Sequence, residues 1–332
     1  MNWALIKDGF VFISGLSPQR LWNGALVMIS YLWAKISKTP SMWAHPISIS
    51  VEPTTSCNLR CPQCPSGLRS FSRPTGMLQG DLYQGLIDSI YKKTSYLTLY
   101  FQGEPYLNPD FLDMVKYARS KNMYVATSSN AHYLNLENSI KTIESGLNRL
   151  IISIDGITQE TYAKYRIGGK LDKVFEATKN LMEARKITGK KGPLIIWQFI
   201  VFSHNEHELP EIKKIAKEFG VDYLQIKTAQ VYDYETGNDL IPKNEKYARY
   251  KKDENQYAIK NKLLNHCWRL WHSCVVTWDG LLVPCCFDKD ASHQLGDLKL
   301  SSFNHIWWGK KYIDFRSTIL KGRANIDICK NC

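Results

Sequence analysis

Three cysteines close together carry the clearest chemical signal in this chain. Cys57, Cys61 and Cys64 are spaced Cys-x3-Cys-x2-Cys, directly after a β-rich run at 47–52. A structural zinc site needs four closed ligands, and neither a fourth Cys nor a His lies nearby. A cubane iron–sulfur cluster held by three cysteines instead leaves one iron open to a small molecule. The spacing therefore predicts a reactive iron–sulfur site.

Composition and charge narrow the class of protein. The chain has 332 residues, 44% of them hydrophobic and 22% charged, which excludes intrinsic disorder, collagen-like repeats and a coiled coil. The formal net charge of +12 favours anionic partners such as nucleic acid, acidic lipid or a substrate carboxylate. The start of the chain lacks a secretory signal. We therefore expect a cytoplasmic protein whose cysteines bind metal or do redox chemistry instead of forming disulfides.

Short β-rich runs alternate with helical periods from residue 46 onward. Strands are predicted at 47–52, 96–101, 123–128, 149–155, 193–202 and 222–228, and helices at 80–93, 108–121, 135–145, 171–188 and 205–219. This alternation predicts a parallel α/β sheet covered by helices. Six strands with five helices favour a partial (β/α)6 barrel over a flat doubly wound sheet. In either fold the loops after the strand C-termini should carry the function.

The central region is flanked by segments of different character. We divide the chain into a helical extension (1–45), a partial barrel core (46–228), a linker (229–262) and a small Cys-rich α+β domain (263–332).

The extension contains an apolar segment at 21–34 that ends before Lys35. Its fourteen residues are too few to cross a bilayer, which takes about 20. We expect a helix packed on the main domain. The alternative is an interfacial helix on a membrane, with Trp22, Tyr31 and Trp33 at headgroup depth, so that the protein is peripheral to the membrane.

The three-cysteine loop resembles the signature of radical S-adenosylmethionine (SAM) enzymes. In that family three cysteines bind a [4Fe–4S] cluster whose open iron chelates the amino and carboxylate groups of SAM. One residue departs from the pattern, because many members carry an aromatic residue before the third cysteine and this chain has Gln63. The resemblance implies a [4Fe–4S] cluster and SAM as cofactors, with Cys57, Cys61 and Cys64 as metal ligands.

The ends of the next strands agree with this resemblance. The second predicted strand is followed by Gln102-Gly103-Glu104-Pro105, similar to the family's Gly-Gly-Glu stretch that binds the SAM ammonium. Glu104 supplies the negative charge, and Gly103 lets the backbone approach closely. The third strand ends in Ser128-Ser129-Asn130, similar to a hydroxyl- and amide-bearing stretch near SAM in related enzymes.

Two further residues are similar to SAM contacts of the family. Ser153 lies near the end of the fourth predicted strand, and Arg166 follows it after a helical turn. The resemblance implies that Arg166 faces the SAM carboxylate, for which a bidentate guanidinium is well suited. The expected cofactor-binding residues are Gln102, Gly103, Glu104, Ser128, Ser153 and Arg166.

The C-terminal cysteines resemble the auxiliary-cluster domain of the SPASM/Twitch group of radical SAM enzymes, in its one-cluster form. A Trp278-Asp279-Gly280 turn precedes Pro284-Cys285-Cys286, and the chain ends in Cys-x2-Cys. The resemblance implies an auxiliary [4Fe–4S] cluster with four thiolate ligands. These are Cys267, Cys285, Cys329 and Cys332.

Alternatives remain open in this tail. Cys274 can replace Cys267 as a ligand, although its spacing to Gly280 is short for the group's pattern. Cys286 follows Cys285 directly and faces the other way on a strand, so we interpret it as apolar filler. A zinc ribbon is the other metal site that four cysteines can form, but its usual first Cys-x2-Cys pair is missing.

The resemblance implies a radical SAM oxidoreductase or maturase. An external one-electron donor of the flavodoxin or ferredoxin type reduces the first cluster, and SAM is cleaved to methionine and a 5′-deoxyadenosyl radical that removes hydrogen from the substrate. The auxiliary cluster accepts an electron or binds the substrate. The substrate is a small or lipid-linked molecule to be oxidised, or a ribosomal peptide to be modified. Because the extension is short and apolar for a leader-binding module, the first class is slightly favoured.

A rival from a different class is a non-enzymatic iron–sulfur electron carrier or a basic nucleic-acid-binding protein. It accounts for the cysteines and the charge, but it leaves Glu104, Ser153 and Arg166 without roles. Helix-turn-helix, zinc-finger and aromatic RNA-binding signatures are absent from the sequence, so nucleic acid is disfavoured as a partner.

Overall fold

The computed structural model describes residues 3–332. Its α-helices are α1 (Trp3–Ser14), α2 (Pro18–Ser37), α3 (Pro65–Leu68), α4 (Gly80–Ile90), α5 (Phe111–Ser120), α6 (Leu136–Glu144), α7 (Gln159–Tyr165), α8 (Leu171–Thr188), α9 (Leu209–Glu218), α10 (Trp268–His272), α11 (Phe303–Trp307) and α12 (Lys310–Gly322). Its strands are β1 (Ser48–Val51), β2 (Tyr96–Thr98), β3 (Tyr124–Ser129), β4 (Arg149–Ser153), β5 (Leu194–Val201), β6 (Tyr223–Thr228), β7 (Tyr250–Asp253), β8 (Gln256–Ile259), β9 (Ser273–Val276), β10 (Leu281–Val283) and β11 (Gly296–Asp297).

Six parallel strands form the centre of the molecule. Strands β1 to β6 are hydrogen-bonded in chain order, and helices connect each strand to the next. The predicted partial (β/α)6 barrel is therefore confirmed. Each predicted strand lies within three residues of the observed one at both ends, because continuous apolar runs mark strands that are covered on both faces.

Strand side chains alternate between the covering helices and the barrel interior. Trp197 on β5 faces the helices, since its indole Nε1 donates to Thr178 Oγ1 of α8 at 3.0 Å, and it pairs in register with Ile152. Ser153, one residue further along β4, pairs with Gln198 on the opposite face. Polar side chains at this end of the sheet are thereby directed into the barrel.

Helix α1 covers the N-terminal end of the barrel. Its buried Asp8 accepts hydrogen bonds from the Tyr124 hydroxyl and the Arg149 guanidinium, and these residues begin β3 and β4. The ring of Phe12 packs edge-on against Tyr124, with centroids 5.6 Å apart, and against Tyr96 at the start of β2. The opposite end, where the strands terminate, carries the loops predicted to be functional.

The C-terminal segment joins the same sheet. Strand β9 pairs in parallel with β1, with Cys274 opposite Ile49, and β10 and β11 follow in antiparallel order. The sheet thus has nine strands in the order β11-β10-β9-β1-β2-β3-β4-β5-β6. The small domain expected at 263–332 is therefore continuous with the barrel through its strands.

The segment 229–262, expected to be a linker, has structure of its own. Strands β7 and β8 form a hairpin, and buried Tyr250 bonds through its hydroxyl to Val231 and Asn331. Aromatic and aliphatic side chains of this segment pack with Cys61 and Tyr165 in one apolar cluster. The segment therefore connects the three-cysteine loop to the C-terminal tail.

Two predicted helix starts differ from the structure because their asparagines bond elsewhere. The Asn108 side chain donates to the carbonyls of Pro53 and Leu78, and α5 begins three residues later. The Asn205 side chain donates to the carbonyls of Asp155 and Ile200, and α9 begins after a short 3-10 turn. Both side chains tie neighbouring loops together.

Among residues 3–332, none of the helices combines the length and the apolar character needed to cross a membrane.

Candidate active site

The three cysteines lie in the tight loop that connects β1 to α3. The Cys64 amide donates to the Cys61 carbonyl at 3.3 Å, and α3 begins directly after Cys64. Gly67 in this helix lies against Cys61, so that a Cβ atom at position 67 would lie 2.5 Å from the Cys61 nitrogen. The loop can fold back on itself in this way only with glycine at that position.

Each thiol faces a polar side chain from the segment that follows a different strand. Three such contacts join sulfur to nitrogen or oxygen: Asn130 Nδ2 lies 3.8 Å from Cys57 Sγ, Arg166 Nη1 lies 3.7 Å from Cys61 Sγ, and Gln102 Oε1 lies 3.8 Å from Cys64 Sγ. The three thiols are therefore held within one polar setting formed by the loops after β2, β3 and β4.

Burial makes the thiols of Cys57 and Cys61 hard to ionise without a nearby cation. It raises the pKa of Cys57 to about 11, and it raises the pKa of Cys61, where the neighbouring Arg166 charge works in the opposite direction. A metal centre supplies the positive charge that converts such thiols to thiolate ligands. Within residues 3–332, no three Cys, His, Asp or Glu side chains converge closely enough to hold a single metal ion. A cubane cluster binds each thiolate through a different iron atom, so its ligands lie further apart than the ligands of a single metal ion. Three thiols in one loop fit this wider spacing.

Glu104 is a buried carboxylate held by neutral donors. Its Oε1 accepts from Ser129 Oγ at 2.8 Å and from the Tyr106 amide at 3.3 Å, and its Oε2 accepts from the Asn130 amide at 2.7 Å. Burial raises the pKa of Glu104 to about 7, although these hydrogen bonds lower it. Two carboxylate oxygens have about four acceptor sites, so one remains for a ligand. The surroundings fit a ligand ammonium, such as that of SAM.

Gly103 lies against the backbone of the three-cysteine loop. Its φ of +74° is in the left-handed region, and a Cβ atom there would lie 2.2 Å from the Thr54 carbonyl oxygen. The Gly103 amide donates to Ser66 Oγ at 2.9 Å, and the Glu104 amide donates to the Ser56 carbonyl at 2.7 Å. The loop after β2 is thus joined to both sides of the three-cysteine loop.

Arg166 is held by a carboxylate of the protein itself. Its Nε lies 2.6 Å from Asp155 Oδ2, and both side chains are largely buried. The other oxygen of Asp155 accepts from the Ile200 amide at 2.8 Å. Because Asp155 occupies Nε, the Nη atoms of Arg166 are left to face Cys61 and a bound ligand.

The two predicted serines occupy different settings from Glu104 and Arg166. Ser128 and Ser153 lie at the C-terminal ends of β3 and β4, where Ser128 pairs with Ile151 and Ser153 with Gln198. Both lie on the interior face of the barrel. Ser129, not Ser128, contacts Glu104.

Sequence reasoning missed residues that support the site. Asp155 positions Arg166, and Asn130 bonds to Glu104 through its amide and to Asn58 Oδ1 through its side chain at 2.7 Å. His132 Nε2 accepts from the Lys170 amide at 2.9 Å and so joins the loops after β3 and α7. Each follows a strand closely, and that position is the signal that could have found them.

The tail brings a second group of thiols together. Cys329 has Cys267 and Cys332 among the neighbours that raise its pKa, after burial itself, while Arg323 lowers it. Burial raises the pKa of Cys285, and the nearby thiols of Cys286, Cys267 and Cys329 raise it further. Arg323 Nη2 donates to Cys332 Sγ at 2.9 Å.

The two additional cysteines differ in their distance from this group: Cys274 lies apart from it, whereas Cys286 is next to Cys285. Cys274 is 1% exposed and packs in the main core, close to the Tyr312 side chain and the Arg316 guanidinium. Cys286 packs beside Phe101 and Val275 in a small apolar cluster. The side chains near Cys267, Cys285, Cys329 and Cys332 fit a four-thiolate centre.

Comparisons with known proteins identify the family. The Radical SAM superfamily pattern matches residues 51–214, and the SPASM pattern, an iron–sulfur cluster-binding domain, matches residues 267–332. The chain belongs to the radical SAM superfamily and carries a SPASM domain. It is accordingly an enzyme that uses SAM and [4Fe–4S] clusters, and the rival interpretation as a carrier or nucleic-acid-binding protein is not favoured.

Relatives of known function cover different shares of the chain. It is 26% identical over 299 residues to the tungsten-containing aldehyde ferredoxin oxidoreductase cofactor-modifying protein of Pyrococcus furiosus, covering 80% of this chain and 82% of that protein. It is 29% identical over 175 residues to mycofactocin maturase MftC of Mycobacterium ulcerans, covering 53% of this chain and 45% of that protein.

Solved structures share the fold. SuiB of Streptococcus suis bound to S-adenosylmethionine superposes with a TM-score of 0.65 at 13% identity, covering 90% of this chain and 74% of SuiB. BtrN in complex with AdoMet and 2-DOIA superposes with a TM-score of 0.55 at 18% identity, covering 88% of this chain and 94% of BtrN. The predicted class of fold agrees with both.

Proposed function

We propose that Cys57, Cys61 and Cys64 bind the [4Fe–4S] cluster at which SAM binds, in the open end of the barrel. One observation carries this assignment: three thiols in a single loop each face a polar side chain from the segment that follows a different strand, at 3.7–3.8 Å. The cluster and SAM, when bound, supply the reductive cleavage that starts radical chemistry. The protein's own residues position SAM and exclude water around it.

The side chains around these thiols have distinct roles in the proposal. Glu104 binds the SAM ammonium through the acceptor site that its three donors leave, and Gly103 permits backbone contact. Arg166 binds the SAM carboxylate through its Nη atoms, because Asp155 fixes its Nε side. Gln102, Ser128 and Ser153 complete the interior wall.

We further propose that Cys267, Cys285, Cys329 and Cys332 bind the auxiliary [4Fe–4S] cluster. Four thiolates leave no open iron, so this cluster would not bind SAM. Cys274 is buried beside Tyr312, and this placement supports Cys267 as the fourth ligand. The auxiliary centre would transfer the substrate electron or bind the substrate.

The proposed substrate is a small or lipid-linked molecule that loses hydrogen. This class is supported by the Pyrococcus furiosus relative, which is named for modifying a cofactor and matches over 82% of its length. A peptide substrate is the second candidate. It is supported by PqqA peptide cyclase of Gluconobacter oxydans, 27% identical over 191 residues, and by the fold shared with SuiB bound to its precursor peptide SuiA.

The proposed reductant is a protein of the flavodoxin or ferredoxin type. The net charge of +12 complements an acidic donor and would speed its encounter with the enzyme. All nine cysteines are free, which suits a reducing, cytoplasmic compartment.

Anaerobic incubation with dithionite and SAM tests the proposal. The reconstituted protein should form 5′-deoxyadenosine, and Glu104→Gln should reduce this formation without loss of iron, since an amide cannot offer the ammonium a charge. A fully loaded protein that forms none would contradict the assignment of the first site. Mass spectrometry then shows which candidate substrate loses two hydrogens, and this result separates the small-molecule class from the peptide class.

A further inference from the structure

Helix α2 presents its apolar side chains to solvent. Large apolar side chains are exposed near both ends of α2 and along its second half: Leu21, Trp22, Met28, Ile29, Leu32, Trp33 and Ile36. Trp22 is 65% exposed and Ile36 is 78% exposed. A surface helix ordinarily turns its apolar stripe toward the core and its polar face toward water. Packing among residues 3–332 therefore leaves this stripe without a partner.

The buried face of α2 carries polar residues beside Val27 and Ala34, and the hydrogen bonds of these polar residues fix the orientation of the helix. The guanidinium of Arg20 donates to the carbonyls of Tyr91 at 2.7 Å and Lys121 at 2.8 Å. The Asn23 side chain donates to the His45 carbonyl at 2.9 Å and accepts from the His45 amide at 3.0 Å. These bonds would break if α2 rotated to bury its stripe, so the apolar face is held outward.

The charges around the stripe have one sign. Lys35 and Lys38 are exposed at its C-terminal end, and Lys7 is exposed on α1. Asp8 is the only acidic residue in 3–45, and it is buried against Arg149. An apolar stripe with exposed lysines and no exposed acid complements an anionic lipid surface. In a parallel twofold contact between two α2 helices the same lysines would face one another and repel.

We propose that α2 docks the protein on the surface of an anionic lipid bilayer. The helix lies in the plane of the interface, with Trp22 and Trp33 at headgroup depth and Lys35 and Lys38 on the lipid phosphates. This docking is independent of the chemistry proposed for the cysteines.

One residue expected at headgroup depth faces the protein. The Tyr31 hydroxyl lies 2.7 Å from His266 Nδ1, and its ring centroid lies 5.1 Å from that of Trp268. Tyr31 therefore anchors α2 to the segment that carries Cys267. Docking through α2 would hold the tail cysteines close to the lipid surface, where a lipid-linked substrate would arrive.

Cosedimentation of the full-length protein with vesicles tests the proposal. The protein should bind vesicles of phosphatidylcholine and phosphatidylglycerol more tightly than vesicles of phosphatidylcholine alone. Trp22→Glu/Ile36→Glu should weaken binding about a hundredfold, because two apolar side chains no longer leave water. Leu300→Glu is the matched control, since Leu300 is 84% exposed outside α2, and it should bind like the unaltered protein.

A second pair of variants tests the charges without changing the apolar face. Lys35→Gln/Lys38→Gln should weaken binding to the anionic vesicles about thirtyfold, whereas Lys251→Gln/Lys252→Gln on the β7–β8 hairpin should not. Equal vesicle binding by the unaltered protein and the Trp22→Glu/Ile36→Glu variant would overturn the proposal. Failure of the unaltered protein to bind vesicles would also overturn the proposal. This outcome includes the case in which sedimentation velocity shows a dimer of the unaltered protein that Trp22→Glu/Ile36→Glu dissociates.

Discussion

The two cysteine-bearing regions are built in opposite ways. The three thiols of the first region come from one loop of eight residues, 57–64. Their polar neighbours lie in the segments that follow β2, β3 and β4. The thiols of the second come from places far apart in the chain, before α10, after β10 and at the last turn. The first site takes its geometry from a parallel sheet, whereas the second takes its geometry from the packing of the tail.

The polar side chains around the two groups of thiols also differ. Around Cys61 a guanidinium is itself held by the buried carboxylate of Asp155, which leaves donors directed at a ligand. Around Cys332, Arg323 donates to the sulfur itself, at 2.9 Å. The first arrangement suits a site that must accept and release a small molecule, and the second suits a closed centre.

The largest expected effect comes from removing the first site. Replacing Cys57, Cys61 and Cys64 with Ala should lower the iron content from about eight to about four per chain, because one of two [4Fe–4S] clusters is lost. SAM cleavage should vanish while the spectrum of the tail cluster stays. Iron analysis and anaerobic assay of 5′-deoxyadenosine measure both. Continued cleavage by the triple variant would remove the distinction between the two regions.

Loss of one tail ligand should separate SAM cleavage from product formation. Cys329→Ala should lower the iron content by up to about four per chain, leave 5′-deoxyadenosine formation measurable, and strongly reduce turnover of substrate. The tail should also unfold more easily, because metal binding contributes directly to its folding free energy. Thermal unfolding followed together with iron content measures this.

Cys274→Ala is the matched control for the tail. Cys274 is buried against Tyr312 and Arg316, so its loss should lower stability through packing while both clusters remain. If Cys274→Ala loses a cluster and Cys329→Ala keeps both, the tail ligands are assigned wrongly. Zinc in the native tail would leave this region with a structural role only.

A smaller effect is expected from Arg166→Lys. A lysine ammonium is a point charge and cannot both pair with Asp155 and donate along a second edge to a carboxylate. SAM affinity should fall about tenfold with no loss of iron, because hydrogen bonds to charged groups are the stronger ones. Equilibrium binding measures the change in SAM affinity. Arg60→Lys is the control, because Arg60 is exposed on the three-cysteine loop, and this substitution should leave the affinity unchanged. Equal affinities in both variants would make Arg166 a structural residue.

The sequence predicted the first region better than the second for a physical reason. Ligands in one loop keep a fixed spacing, and parallel strands are recognised by their apolar runs, so Cys57 to Cys64 and the strand ends could be placed without coordinates. Finding that Ser129 contacts Glu104 required knowing which side chains of β3 meet Glu104. A shift of one residue along a strand reverses the face, and the end of a strand is where a sequence defines its position least well.

The tail and the segment before it could not be placed in this way. Pairing of β9 with β1 joins residues 48 and 273, and no local pattern encodes so distant a contact. The segment 229–262 is rich in polar residues, and its hairpin and its contacts with Cys61 depend on a few buried aromatic residues such as Tyr250. Gln63 looked like a departure from the family's pattern, but it has a partner in this segment.

The smallest effect concerns that contact between the two regions. Gln63 Oε1 accepts from the Tyr232 amide at 2.9 Å, and the ammonium of Lys289, four residues after Cys285, lies 4.8 Å above the Tyr232 ring. Tyr232 thus lies between the first site and the tail. Gln63→Ala should speed hydrogen exchange at the Tyr232 amide about threefold, since an exposed hydrogen bond contributes about 0.5–1 kcal/mol.

Gln63→Glu keeps an acceptor at the same place, and it should restore the slow exchange that Gln63→Ala loses. Neither substitution should change the iron content, because the three thiols keep their own loop contacts. If the Tyr232 amide exchanges equally fast in all three proteins, the segment is held by its apolar cluster alone. The two regions would then communicate only through the shared sheet, where β9 pairs with β1. A change in both exchange and substrate turnover, with SAM cleavage intact, would instead make Gln63 part of the path by which the first site and the tail act on one substrate.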